Sequence, residues 1–196
     1  MIARSMHFSL FAVAALSACG SHSSATVANG ADATTPTRPK LKAAMDQTTS
    51  MMAATPSAKQ FADLAAKNDA FEIAAARLAQ AKSASAAVKA YAAKMIAAHT
   101  ASTAKIGKAA AAARPAIVPD ASSTPDYDAK LAELRKLTGA AFDRAYAAGQ
   151  VHEHHAALSL FQLYARGGDV PSLKTAAVEI MAVIRQHIGM AEALEK

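Results

Sequence analysis

The chain has 196 residues with a net charge of +6, a single Cys, no Trp and only 5% aromatic side chains, and alanine makes up more than a quarter of it. That length suits one domain of ordinary size with appendages. A lone Cys excludes any disulfide within the chain. Lys89, Lys94, Lys105 and Lys108 are scattered at helix-surface spacing without aromatic interleaving. The basic balance therefore reads as a solvated surface, and no nucleic-acid partner is expected. Alanine loses no side-chain entropy in a helix and lets helix axes approach closely, so the class is all-α.

The N-terminus reads as an address. Arg4 precedes an apolar run, Phe8 to Leu16, too short to span a bilayer. Leu16-Ser17-Ala18-Cys19 follows, then Gly20-Ser21. This is similar to the bacterial lipoprotein box, in which small residues before a Cys permit cleavage and the Cys becomes the lipidated N-terminus. The other reading is an ordinary signal peptide cleaved after Ala25. The resemblance divides the chain into a signal peptide (1–18), a lipidated Cys19 with a tether (19–56) and a folded body (57–196). It implies membrane attachment through Cys19 and, with no Asp after the Cys, the periplasmic face of an outer membrane. From residue 20 to about 56 the chain is Ser, Thr, Ala, Asn and Pro with few large apolar side chains. Such a segment buries too little surface to offset chain entropy, and as a coil it reaches roughly 35 Å.

Helical periodicity begins at Ser57, which stands at capping-box spacing from Gln60. The first helix is predicted over 57–83, with Phe61, Leu64, Asn68, Phe71, Glu72, Ala75, Leu78 and Ala79 on one broad face. Ser85 is a good N-cap for a second helix over 86–112, whose stripe is Val88, Tyr91, Ala92, Met95, His99 and Ile106. The loop from Arg114 ends at Pro125, which opens a short helix through Leu131, Leu134 and Leu137. Thr138-Gly139 reads as a break and a new cap before the third long helix, over 140–166. There Phe142, Tyr146, Gly149, Glu153, Ala156, Leu160 and Tyr164 fall near one line, flanked by His154, Leu158 and Phe161. Gly167-Gly168-Asp169-Val170-Pro171 combines a glycine stop, an Asp cap and a first-turn Pro. The last stripe is Leu173, Ala177, Ile180, Ile184, His187, Ala191 and Leu194. Four helices of roughly 40 Å, with one long and partly helical connection between the second and third, predict a ferritin-like four-helix bundle with one crossover.

Val88-Lys-Ala-Tyr-Ala-Ala-Lys-Met-Ile-Ala-Ala-His-Thr100, Leu137-Thr-Gly-Ala-Ala-Phe-Asp-Arg-Ala-Tyr146, the His154 segment and Ile184-Arg-Gln-His-Ile188 resemble a family of exported bacterial proteins, domain of unknown function 4142. The resemblance covers about 57 to 196 and implies a ferritin-like fold. It departs at Ala98, where family members usually carry an Asp directly before the histidine; Glu153 before His154 retains the acid.

Glu72, His99, Glu153, His154 and His187 fall near the helix midpoints, so an antiparallel bundle brings them toward one layer. Buried polar groups require partners. Three readings are open. The layer is a self-satisfied hydrogen-bond network with both glutamates accepting from histidines, or it holds a divalent transition metal through imidazole and carboxylate, or the histidines face outward. Glu-x-x-His, the di-iron bundle pattern, is absent: Ile96, Val151 and Ile184 precede the three histidines by three. No nucleophile–base pair, phosphate loop or Cys-based metal motif is present. The expected function is a non-catalytic binding or envelope-maintenance module, with a metal-binding bundle of storage or redox character as the alternative. The protein partner is not legible.

Overall fold

The computed structural model describes residues 54–196; Cys19, the expected anchor, and most of the expected tether lie outside them. Five helices form: α1 (Ala58–Lys82), α2 (Ala86–Ala111), α3 (Pro125–Lys136), α4 (Gly139–Gly167) and α5 (Pro171–Leu194). Among the described residues there is no strand.

Three starts follow the local chemistry. Ser57 Oγ accepts from Gln60 N–H (3.3 Å) and Gln60 Oε1 accepts from Ser57 N–H (3.0 Å), a full capping box. Ser85 caps α2 through Val88 N–H, and Thr124 caps α3 through Tyr127 N–H just before Pro125. Two starts differ from expectation. Thr138 makes no side-chain cap bond; Gly139 turns the chain itself at φ 55, a left-handed conformation open to glycine. Asp169 does not cap α5, because the helix begins at Pro171 and the cap position is Val170. Its carboxylate instead accepts from the Tyr164 hydroxyl (3.3 Å). Gly168 closes α4 against that same tyrosine, where a Cβ would lie 2.6 Å from the Tyr164 carbonyl oxygen.

α1 pairs with α2 and α4 with α5, while α2 packs on α5 and α1 on α4. Phe61, near the start of α1, stacks on Tyr164, near the end of α4, with ring centroids 4.0 Å apart. Ser172 at the start of α5 donates to the Ala109 carbonyl near the end of α2. Both pairs therefore run antiparallel. The end of α2 and the start of α4 then lie at opposite ends of the bundle, and the connection must traverse its length. α3 is the helical part of that crossover and rests on α1 and α4. This is the single-crossover arrangement expected from the spacing.

The core has two apolar clusters. Phe61, Ile106, Phe161, Tyr164, Leu173 and Ile180 belong to one, and Phe71, Tyr91, Met95, Phe142 and Tyr146 to the other. Near the junction of the two, each long helix carries buried polar residues, among them Asp69 and Glu72, His99, Gln150 and His154, and His187. Fully buried Ala62, Ala76, Ala92, Ala110, Ala147 and Ala177 keep the backbones close around them. The buried stripe of α4 is rotated from expectation. Gln150, His154 and Ala157 face inward, while Gly149 and Ala156 are exposed. Leu64, expected on the buried face of α1, is 48% exposed.

Candidate metal centre

His99, His154 and His187 come together from α2, α4 and α5, each 6% exposed or less. One nitrogen from each lies within 4.8 Å of the others, and the ring centroids are 5.2 to 5.7 Å apart. Outside partners fix the proton on two of the rings. Asp69 Oδ1 is 2.8 Å from His99 Nδ1, and an ionised carboxylate only accepts, so Nδ1–H donates. His99 Nε2 is then left buried and without a partner among the described residues. The Thr103 hydroxyl lies between the other Asp69 oxygen (3.0 Å) and the His99 carbonyl (2.9 Å), with one proton to give to either. His154 Nδ1–H donates to the Gln150 carbonyl (2.8 Å), which leaves its Nε2 as a lone pair. That lone pair faces His187 Nδ1 at 3.2 Å, so His187 donates to it.

Electrostatics separate the three rings. Burial pushes the His154 pKa down to about 3, with the charge of His99 acting the same way. His187 is lowered to about 4 by burial and by His99. Burial alone would lower His99 as well, but the Asp69 hydrogen bond and the charges of Glu72 and Asp69 outweigh it, and its pKa is raised. Two of the imidazoles are thus held neutral, the form that ligates.

The two glutamates do not join the histidines. Glu72 is fully buried and its Oε2 accepts from the Gln150 side-chain amide, while Oε1 has no partner. Burial raises its pKa to about 7 against the lowering effects of His99 and Gln150. Glu153 faces α3, where Lys130 Nζ lies 2.7 Å from its Oε1. The expectation that both glutamates accept from histidines is corrected: Asp69 and the Gln150 carbonyl take those roles. The reason is rotational, since residue 154 and not 153 points to the bundle axis. Asp69 and Gln150 were missed, although helical spacing carries a signal for each. Asp69 stands three before Glu72, and Gln150 stands four after Tyr146 and four before His154. His152 and His155 lie on the surface.

The histidines fit an ion of zinc type. Bonds of about 2.0–2.1 Å in a tetrahedron place ligand nitrogens roughly 3.3 Å apart. His154 and His187 already stand at that separation, and a modest inward shift of His99 completes the set. A cavity of about 20 Å³ borders all three rings, room for one water or one ion. Asp69 behind His99 and a backbone carbonyl behind His154 are the outer partners that ligating histidines use.

A family model described as Domain of unknown function (DUF4142) matches residues 43–194. The chain belongs to this family. The match takes in all three histidines and begins upstream of the Ser57 cap, in residues outside the described part. No curated protein and no solved structure matches the chain. Membership in DUF4142 agrees with the resemblance read from the sequence, and it brings no activity with it.

Proposed function

We propose that this protein is an envelope lipoprotein, anchored through Cys19 to the periplasmic face of the outer membrane, whose bundle binds one divalent transition ion through His99, His154 and His187. It acts as a binding module rather than an enzyme, holding or carrying the ion where the anchor places it. The observation that carries the reading is His99 Nε2, buried with no partner among the described residues on a ring that lines the same small cavity as His154 and His187. An orphaned buried nitrogen is costly, and an ion would give it a partner. Imidazole suits zinc, copper, nickel and iron, so zinc and copper are the first candidates. When bound, such an ion would supply Lewis acidity or be cargo; the chain would supply the Nε2 lone pairs of His99 and His154 and, once its proton passes to Nε2, the Nδ1 lone pair of His187.

A thermal melt of chelated protein with and without zinc or copper tests the site. A ligand bound only by the folded state stabilises by mass action, so wild type should melt higher with one equivalent of metal. The increment should vanish in His187→Ala and in His99→Ala and persist in Glu72→Gln. Equal melting temperatures across all metals would leave a structural layer, the reading favoured by the His187–His154 hydrogen bond. For the anchor, Cys19→Ser should release the protein from membranes into the soluble periplasmic fraction. Unchanged fractionation, with no acyl chain on wild type by mass spectrometry, would refute it.

A further inference from the structure

Resting on the metal reading, a further feature concerns what the ion would lack. Three imidazoles fill three positions, and zinc-type sites take four. Among the described residues, the carboxylates near the three rings are engaged elsewhere. Asp69 accepts from His99 through Oδ1 and faces the Thr103 hydroxyl with Oδ2. Glu72 stands outside the group of converging ligand atoms, and Glu153 is paired with Lys130.

The same cavity has one more polar atom without a partner. Ser102 Oγ is buried and makes no hydrogen bond. Ser102 follows His99 by three on α2, so both side chains project from one face of that helix. The other α2 side chain at this wall, Ala98, is short and half-buried, and Val183 of α5 across from it is 40% exposed. The cavity therefore lies just beneath the surface between α2 and α5, with a hydroxyl in its wall.

We propose that the centre leaves its fourth coordination position to a ligand from solution, a water or a small anion, which Ser102 Oγ holds by a hydrogen bond. Structural sites close all four positions with protein ligands, whereas an open position makes the ion accessible to exchange and reaction. The chain would then present a reactive or transferable ion, not a buried structural one.

The test loads the full mature protein with one equivalent of Cu(II) and titrates azide while the visible spectrum is followed. Wild type should show a saturable azide-dependent band. Ser102→Ala suits the helix, because alanine is the better helix former, and should keep its metal affinity. Its azide affinity should fall roughly three- to tenfold, the effect of losing one ordinary hydrogen bond. Ala98→Phe, which fills the outer wall, should retain copper and lose the azide response. A copper-loaded protein whose spectrum ignores azide would overturn the open position. An azide affinity unchanged in Ser102→Ala would overturn the role of Ser102. Failure of the metal reading is distinct: no copper spectrum develops before azide is added, or the spectrum and the azide band both survive His187→Ala and belong to surface histidines.

Discussion

Two polar groups sit back to back in this bundle, and they are built differently. In the histidine group the protons of His99 and His154 are committed outward, to Asp69 and the Gln150 carbonyl, and His187 donates to the inward nitrogen of His154. In the second group, Glu72 Oε1, Gln150 Oε1, Tyr91 OH and Tyr146 OH are buried oxygens without partners. One bond, from the Gln150 amide to Glu72, orders that group. Burial and the charge of Glu72 raise the pKa of both tyrosines, so they remain hydroxyls. Gln150 links the two, donating with its side chain on one side and accepting with its backbone on the other. Equal burial does not make equal chemistry. A site forms where fixed acceptors behind the ligands decide which atom faces inward, and a carboxyl without such support drifts toward its neutral form.

The largest expected effect breaks the support of the histidine group. Asp69→Ala leaves the buried His99 Nδ1 without its acceptor. It should destabilise by about 3 kcal/mol in urea unfolding and weaken metal affinity about 10–100-fold. Unchanged affinity would mean that the ligand orientation does not depend on Asp69.

Glu72→Gln should act in the opposite direction. The folded pKa of Glu72, about 7, lies above its ordinary 4.5. Its contribution is fully present below pH 4.5 and is lost as pH rises through 7, because the folded state then carries a buried charge that the unfolded chain solvates. The substitution should therefore stabilise by on the order of 2 kcal/mol at pH 8 and by little at pH 4. A pH-independent difference would show that Glu72 is not the group that titrates.

Acid sharpens the comparison from the other side. His154 and His187, with pKa values lowered to about 3 and 4 from 6.5, take up protons in the unfolded chain first. Stability of the metal-free protein should fall as pH drops from 6.5 toward 4. His99 works against this, since its raised pKa stabilises at low pH and that contribution is lost as pH rises through it. Removing one lowered histidine, in His187→Ala, should flatten the fall in chemical unfolding measured across that range.

The smallest effect belongs to Glu153. Glu153→Gln keeps its shape and loses an ion pair whose lysine is a third exposed, so the change should be about 1 kcal/mol or less, with metal affinity unaltered. A clear loss of metal binding would return Glu153 to the ligand set.

Much of the fold is local and was readable from the chain. The Ser57–Gln60 box, the Ser85 cap and the Pro125 start act within one helical turn, and apolar spacing at helical period marks the faces. The long gap between the second and third long helices sets the crossover. His99 and His187 lie within their stripes by that same arithmetic. What tertiary packing alone decided was rotation and partnership. A helix turns 100° per residue, so whether residue 153 or 154 of α4 meets the axis depends on how α4 beds against α1, α3 and α5. The same bedding gave Glu153 to Lys130 and Glu72 to Gln150, and it set Asp69 behind His99 across thirty residues of chain. Periodicity names the residues that face inward; only the packed neighbours determine which of their atoms are left free.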